Sequence, residues 1–316
     1  MKIGTWTAIG AALLSLWAGA IQAEEWTPKK PIEIVVGFAP GGGSDQAARI
    51  IAAAAQEGFP VPLVVTNKPG AAGVLAAQQV ARSKPDGYTL LVAGGSETTS
   101  VPAHREVPYD PDKDFTSIIR LTNNPFFFIV AANSPFKTIE DVIAAAKAKP
   151  GDISQANTGL GGLTHSAGVL LERAAGVKLK HVPYQGGSPA IQALIAGQID
   201  IALGATEEIE GQVQANTIRV LASTGAERSS HYPDVPTLKE KGYDVVCTNM
   251  KGLVGPAGLP PDVVKYLHDR FRQAMDRDTW RKFAERVGEP SNYRNAAEFA
   301  SAQQEQLSRI KAALRQ

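Results

Sequence analysis

Three consecutive glycines stand between an apolar run, "IEIVV", and an alanine-rich run, in "GFAPGGGSDQAAR" from Gly37 to Arg49. Such a junction serves a tight turn, or it lets a ligand approach the backbone where a side chain would stand in the way. The first N–H groups of a helix lack internal partners, and its dipole makes that end positive, so the junction suits an anion without any lysine or arginine. Each N–H given to a carboxylate contributes roughly 1.5–3 kcal/mol net. A second loop of the same design follows a short strand in "ISQANTGLGGLTHSAGVLLERAAG", with glycines at 159, 161 and 162 and a helix expected from near Thr164. Two such loops, facing one another, would hold both ends of a short dianion.

Other chemistries find little here. "GFAPGGGSD" is not G-x-G-x-x-G and no G-K-[ST] follows, so dinucleotide and P-loop readings fail. There is no H-E-x-x-H, C-x-x-C or G-x-S-x-G, which leaves no metal set and no nucleophile elbow. His165, at the second loop-to-helix junction, is the one candidate base; bracing the loop through its ring is the competing role. His181 alternates like a strand residue and reads as structural. Asp45 is expected to turn back to the backbone as an acid of the first helical turn, and Arg49 to point away from the cleft. Cys247, the single cysteine, sits in apolar "DVVCTNM" and reads as a buried thiol.

The elements around these loops alternate. "IEIVVGF", "PLVVTN", "YTLLVAG", "HVPY", "IDIALG" and "IRVLAST" are strand-like runs separated by alanine-rich helical patterns starting near Asp45, Gly73 and Pro189. This predicts an α/β fold with largely parallel sheets. Thr138 with Asp141 forms a capping box, Ser188-Pro189 reads as an N-cap with proline at the first helical position, and "LPPDVVKYLHDRF" enters a helix through proline. From Pro260 onward the chain reads as helix upon helix.

A chain of 316 residues with 44% hydrophobic content has ample core and reads as two domains. Its start, "MKIGTWTAIGAALLSLWAGAIQA", carries Lys2 and an uncharged stretch from Ala8 to Ile21 that is short of the roughly 20 residues of a membrane span. It reads as a secretory signal peptide over residues 1–23, cleaved after Ala23. Cleavage removes one of 32 basic residues and leaves 31 against 31 acidic ones. That balance argues against nucleic acid or a polybasic membrane patch. An exported, large-cored protein without disulfides fits a bacterial periplasm.

The stretches "FAPGGGSDQAARIIA", "VVTNKPGAAGVLAAQQVARSKPDGYTLLV", "VPYDPDKDF", "HVPYQGGSPAIQALIAGQID", "RVLASTGAERSSHYPDVPTLKEKGYD" and "GLVGPAGLP" run in order over nearly the whole chain from about Ile32. Together they resemble the Bug (TctC-type) solute receptors of tripartite tricarboxylate transporters. The resemblance implies a two-domain periplasmic binding protein of Venus-flytrap type (type II-like), each domain a mostly parallel sheet flanked by helices. Domain 1 would comprise residues 24–123 plus 248–316 and domain 2 residues 124–247, with the hinge crossed twice.

It further implies capture rather than catalysis, without cofactor or metal: a monomer that binds a di- or tricarboxylate or an aromatic acid and delivers it to membrane permease subunits. The ligand would be held by Phe38, Pro40, Gly41, Gly42, Gly43, Ser44 and Asp45 of the first loop and by Asn157, Thr158, Gly159, Gly161, Gly162, Thr164 and His165 of the second. Ser96, Tyr184 with the nearby Gly186, and Gly204 would complete the lining. The chain departs from the family pattern at Asn157 and Gly162, where serine is frequent, at Met250, where tryptophan is, and after "GQIDI", where Gly204-Ala205 replaces an acid. Two alternatives remain: a periplasmic hydrolase or isomerase using His165, and a sensing subunit of a membrane signalling system.

Overall fold

The computed structural model describes residues 26–288 and 292–315; the signal-peptide reading falls outside them. The first half alternates strand and helix: β1 (Ile32–Val36), α1 (Gly43–Ala55), β2 (Leu63–Asn67), α2 (Val74–Ala81), β3 (Thr89–Ala93), then a π-helical turn (Ser96–Ser100) running into α3 (Val101–His104). A 17-residue strand, β4 (Phe115–Ala131), leads into the second half. There follow α4 (Ile139–Ala148), β5 (Ser154–Asn157), α5 (Leu163–Ala175), β6 (Lys180–Pro183), α6 (Gly187–Ile195), β7 (Ile201–Ala205), α7 (Thr206–Gln214) and β8 (Ile218–Ser223). β9 (Thr248–Pro256) returns, and α8 (Pro261–Met275), α9 (Asp278–Arg286) and α10 (Ala296–Arg315) close the chain.

The strands lie in the order β2-β1-β3-β9-β4-β7-β5-β6, with β8 also paired to β4. The flanks are parallel, as short strands with helical crossovers demand. The middle is antiparallel: β9 pairs with β3 and β4, and β4 with β7 and β8. The expectation of mostly parallel sheets therefore holds for the outer strands and is corrected at the centre. β4 went unread because Asn123-Asn124-Pro125 interrupts its apolar pattern with turn residues, and an internal proline argues against a strand. Pro125 is tolerated because it sits where β4 changes partners: Pro125 faces Thr248 of β9, while Phe126 faces Ala205 of β7.

Both faces of each half are covered, so the central strands β1, β3, β4 and β7 are largely apolar. Ile32, Ile34 and Val36 pack towards α1, α8 and α9, whereas Val35 and Leu91 pack towards α2 and Phe299 of α10. In the second half Phe126, Phe128 and Val130 face α4 and α5, while Phe127 and Ile129 face α6 and Ile209 of α7. α10 spans the halves, with Phe299 in the first half's core and Ile310 in the second's. Buried Thr224 ties the two crossing strands: its Oγ1 accepts the Phe126 N–H (2.9 Å) and donates to the Cys247 carbonyl (2.6 Å).

Local signals fare well. The Thr138–Asp141 capping box is present, and α8 is entered through Pro260 and Pro261. One cap is corrected: α6 begins at Gly187 with Gly186 at the N-cap, so Ser188 lies inside the helix. Gly186 has φ +151° and its N-cap position lies against the Phe38–Ala39 backbone, which a side chain would crowd.

Candidate functional site

The glycine loop after β1 turns at Gly41 and enters α1 with Gly42 as N-cap. Asp45 does turn back: its Oδ2 accepts the Gly41 N–H at 2.9 Å, and its Oδ1 takes Nε of Arg49 and Nδ2 of Asn67. Burial alone would raise the Asp45 pKa, but Arg49 and the two hydrogen bonds outweigh it and hold the carboxyl below its ordinary range. Arg49 also donates to Asn67 Oδ1 (2.8 Å), which keeps it within its own half.

What contacts this loop directly is the start of α6 and α7, while the 157–165 loop reaches the same cavity through Thr158. The Ala39 N–H donates to the Gln185 carbonyl (2.8 Å), and Gln46 Nε2 to the Glu207 carbonyl (3.0 Å). The Gly43 N–H, first of α1, donates to Glu208 Oε1 at 2.8 Å, while Glu208 Oε2 accepts the Ala205 N–H at 3.0 Å. A Cβ on Gly43 would collide with the Glu207 carboxylate and one on Gly187 with that of Glu208. The glycines make room for carboxylates, and in this structure two of them are the chain's own. Burial first, and then Glu207, raises the Glu208 pKa.

Glu207 is buried against Lys251, 2.5 Å away, with both side chains 1% exposed, and its Oε2 accepts from Asn124 Nδ2 at 3.2 Å. Glu97, in the π-helical turn, is the third carboxylate. It is 2% exposed, and burial pushes its pKa up to about 7 against backbone hydrogen bonds from its own N–H and from the Gly95 N–H (3.3 Å).

The second glycine loop packs on the first half through Ser96 and Ala72. The Leu163 N–H, first of α5, donates to Ser96 Oγ (2.9 Å), and Ser100 Oγ donates to the Gly161 carbonyl (2.7 Å). Gly159, at φ +109°, presses on Ala72, where a Cβ would come within 2.8 Å. His165 braces the loop, its Nδ1 accepting the Gly161 N–H at 3.2 Å. Its ring lies between those of His104, tilted at 5.3 Å between centroids, and His181, edge-on at 4.5 Å. Burial and then these two neighbours depress its pKa to about 4. Ser166 Oγ lies 2.7 Å from His104 Nε2 and is fully buried. Cys247 is buried too, its pKa pushed up to about 12 by desolvation.

Between these parts lies a cavity of about 30 Å³, room for about one water. Phe38, Gly42, Gly43, Ser44, Ser96 and Thr158 line it, as the sequence suggested, together with Gly95, Glu97, Phe126, Gly187, Glu208, Asn249 and Met250. Pro40 and Gly41 lie exposed on the outer side of the first turn. Asn157, Gly159, Gly161, Gly162 and Thr164 shape the second loop from behind: Thr164 Oγ1 accepts the Thr158 N–H (2.8 Å) and Asn157 Oδ1 that of Gly159 (3.2 Å). Tyr184 bonds through its N–H to the Asn157 carbonyl (2.8 Å), and Gly204 is inside β7, packed under Ile209. Glu97, Glu207, Glu208 and Lys251 were missed. The available signals were two glutamates opening a helix after a wholly apolar strand, and one lysine inside apolar "NMKGLVG".

The profile of the family described as "Tripartite tricarboxylate transporter family receptor" matches residues 47–316. A protein of Cupriavidus necator, "UPF0065 protein in gbd 5'region", is 35% identical over 98% of this chain and 94% of its own length. Among solved structures, a periplasmic transporter is 32% identical with a TM-score of 0.86, over 92% of this chain and 97% of that one. MatC from Rhodopseudomonas palustris, with bound malate, is 30% identical with a TM-score of 0.86, over 91% of this chain and 99% of that one.

Proposed function

Because the chain belongs to the tripartite tricarboxylate transporter receptor family, we propose that it is an extracytoplasmic solute receptor: it captures a small organic carboxylate between its halves and delivers it to the membrane permease of such a transporter. The observation that carries the reading is the Gly43 N–H at the start of α1, which already binds a carboxylate, that of Glu208. A helix N-terminus that holds one carboxylate at 2.8 Å holds another of the same chemistry when the first withdraws. The malate in a 30% identical structure supports the same ligand class.

Residues 24–123 with 248–316 form one lobe and residues 124–247 the other, and the lobes move about the two crossings beside Thr224. The ligand enters the open form and touches Phe38, Gly42 to Ser44, Ser96 and Thr158, with Pro40, Gly41, Asp45, Asn157, Gly159, Gly161, Gly162, Thr164, His165, Tyr184 and Gly204 shaping the loops. Closure is a population shift, because contacts to both lobes form only in the closed state. The leader is removed after Ala23 and the receptor works as a periplasmic monomer without catalysis. Isothermal titration with malate, succinate, adipate and benzoate tests the ligand class: binding of at least one is expected, and silence from all four would overturn it. Co-purification with the transporter's membrane subunits tests delivery.

A further inference from the structure

Two hollows in the surface meet at Arg173 of α5. One, of about 490 Å³, lies between the ends of α4 and α5 and is lined by Lys147, Glu172, Arg173 and Lys178. The other, of about 360 Å³, is bounded by Ala103 and His104 of α3, by Arg173, and by Lys311 and Arg315 of α10. Five cations thus line one concave surface, and all but Lys311 are exposed. Glu172 is the acid in this lining, and it is committed elsewhere: its Oε1 accepts the Leu179 N–H at 2.6 Å and its Oε2 lies 3.3 Å from His181 Nε2.

The acids and bases of the whole chain nearly balance, 31 against 32, and cations close by do find acids, Lys149 at Asp152 and Lys241 at Glu140. Among the described residues none of the five forms an ion pair. Arg173 donates to the Ala313 and Leu314 carbonyls, which closes the end of α10 but leaves the guanidinium charge uncancelled. Helix dipoles offset part of the excess, because α4, α5 and α10 all end here. Three such ends at about half a negative charge each, with Glu172, come to about −2.5, which is half of what five positive charges require.

We infer that this surface receives an acidic segment of a protein partner, which on the receptor reading above is the membrane permease. A concave basic surface takes a protruding loop or helix end that carries Asp or Glu, and its charges steer the encounter and fix the register. A lipid surface fits less well. The large apolar side chains exposed among the described residues are Val64, Leu75 and Leu160, and none of them borders the hollows to anchor in a bilayer. The second hollow is walled by α3 of the first half and α5 of the second, so a partner that fills it touches both halves at once.

The test is biolayer interferometry of the purified receptor against nanodiscs bearing the transporter's membrane subunits, and against empty nanodiscs rich in phosphatidylglycerol. Binding to the subunit-bearing discs is expected to weaken roughly tenfold in Lys147→Glu with Lys178→Glu, and again in Lys311→Glu, and to weaken as salt rises from about 50 to 300 mM. Lys84→Glu with Lys282→Glu makes the same change in net charge outside the hollows and should shift binding by less than about twofold. Thermal melts verify the fold of each variant. An equal loss in that control pair would reduce the effect to net charge and overturn the assignment. Undiminished binding by the hollow variants overturns it too, and the receptor reading then stands. Equally tight binding to the empty discs would put a lipid surface in place of the protein. If the native receptor ignores the subunit-bearing discs altogether, this surface and the delivery role both fall.

Discussion

Glu208 and Gly43 stand 165 residues apart in sequence, yet the carboxylate of one accepts the backbone N–H of the other at 2.8 Å. The bond joins the first turn of α7 to the first turn of α1, so each half supplies one partner. It makes Glu208 an internal competitor for a ligand carboxylate at α1. Replacing Glu208 with alanine removes both that competitor and a negative charge from the cleft. The affinity for glutarate is expected to rise about tenfold, on the order of 1.4 kcal/mol, by isothermal titration. An unchanged affinity would mean that ligand carboxylates do not use the Gly43 N–H.

The Lys251–Glu207 pair gives a second expectation. With both side chains 1% exposed, removing either partner strands the other's charge in the interior, at a cost of about 3–5 kcal/mol. Glu207→Gln and Lys251→Met should each lower the unfolding free energy, read from urea titrations, by that amount. The double variant should lose much less than the two together, because no charge is then left unpaired. Additive losses would show that the two groups are not coupled.

The ring cluster of His104, His165 and His181 lies where α3 of the first half meets α5 of the second. Burial and the neighbouring imidazoles depress His165 to about 4, and burial depresses His104 as well. Both rings therefore favour the neutral form in the native state. Their contribution is complete above an ordinary histidine pKa near 6.5 and is lost as pH falls from there towards 4. Solvent at the partly exposed His165 ring reduces the effect to about 1 kcal/mol, or on the order of 2–4 °C in melting temperature. Glu97 slopes the other way: raised to about 7, it favours the fold at low pH and ceases to as pH rises through that value. The histidine effect is therefore read as the difference between the native protein and His165→Gln. That difference should narrow between pH 7 and pH 5. A gap constant over this range would show that His165 is not held neutral by the fold.

The strands and helices could be read because their signals are local: β-branched runs, a capping box at Thr138, prolines opening α8. The first glycine loop was legible for the same reason, down to Asp45 turning back on Gly41. Its partner was not. Nothing in "GGGSD" specifies that Gly187 and Glu208 come to stand against it, since that depends on how β4 carries the chain from one sheet into the other. The second loop, whose sequence is so similar, instead packs on Ser96 and Ala72. β4 itself hid behind Asn124-Pro125, residues that announce a turn in isolation and are accommodated only because the strand changes partners there.

Arg49 decides between a backbone cradle and an arginine clamp. It is the basic side chain nearest in sequence to the first loop, and a clamp would use it on the ligand. Its guanidinium instead holds Asp45 Oδ1 and Asn67 Oδ1, each within 2.9 Å. Asp45 in turn fixes the Gly41 N–H and thereby the shape of the turn into α1. Arg49→Gln should therefore act on stability: the Asp45 carboxylate, with its side chain 4% exposed, loses its cation at a cost of about 1–3 kcal/mol. Affinity for malate or glutarate should change less than threefold, since the Gly43 N–H and the α1 dipole remain. Titration of the variant at a temperature well below its melting point separates the two effects. Abolished binding with an unchanged melting temperature would replace the cradle by a clamp. A lower melting temperature with retained affinity is what the Asp45–Arg49–Asn67 network requires.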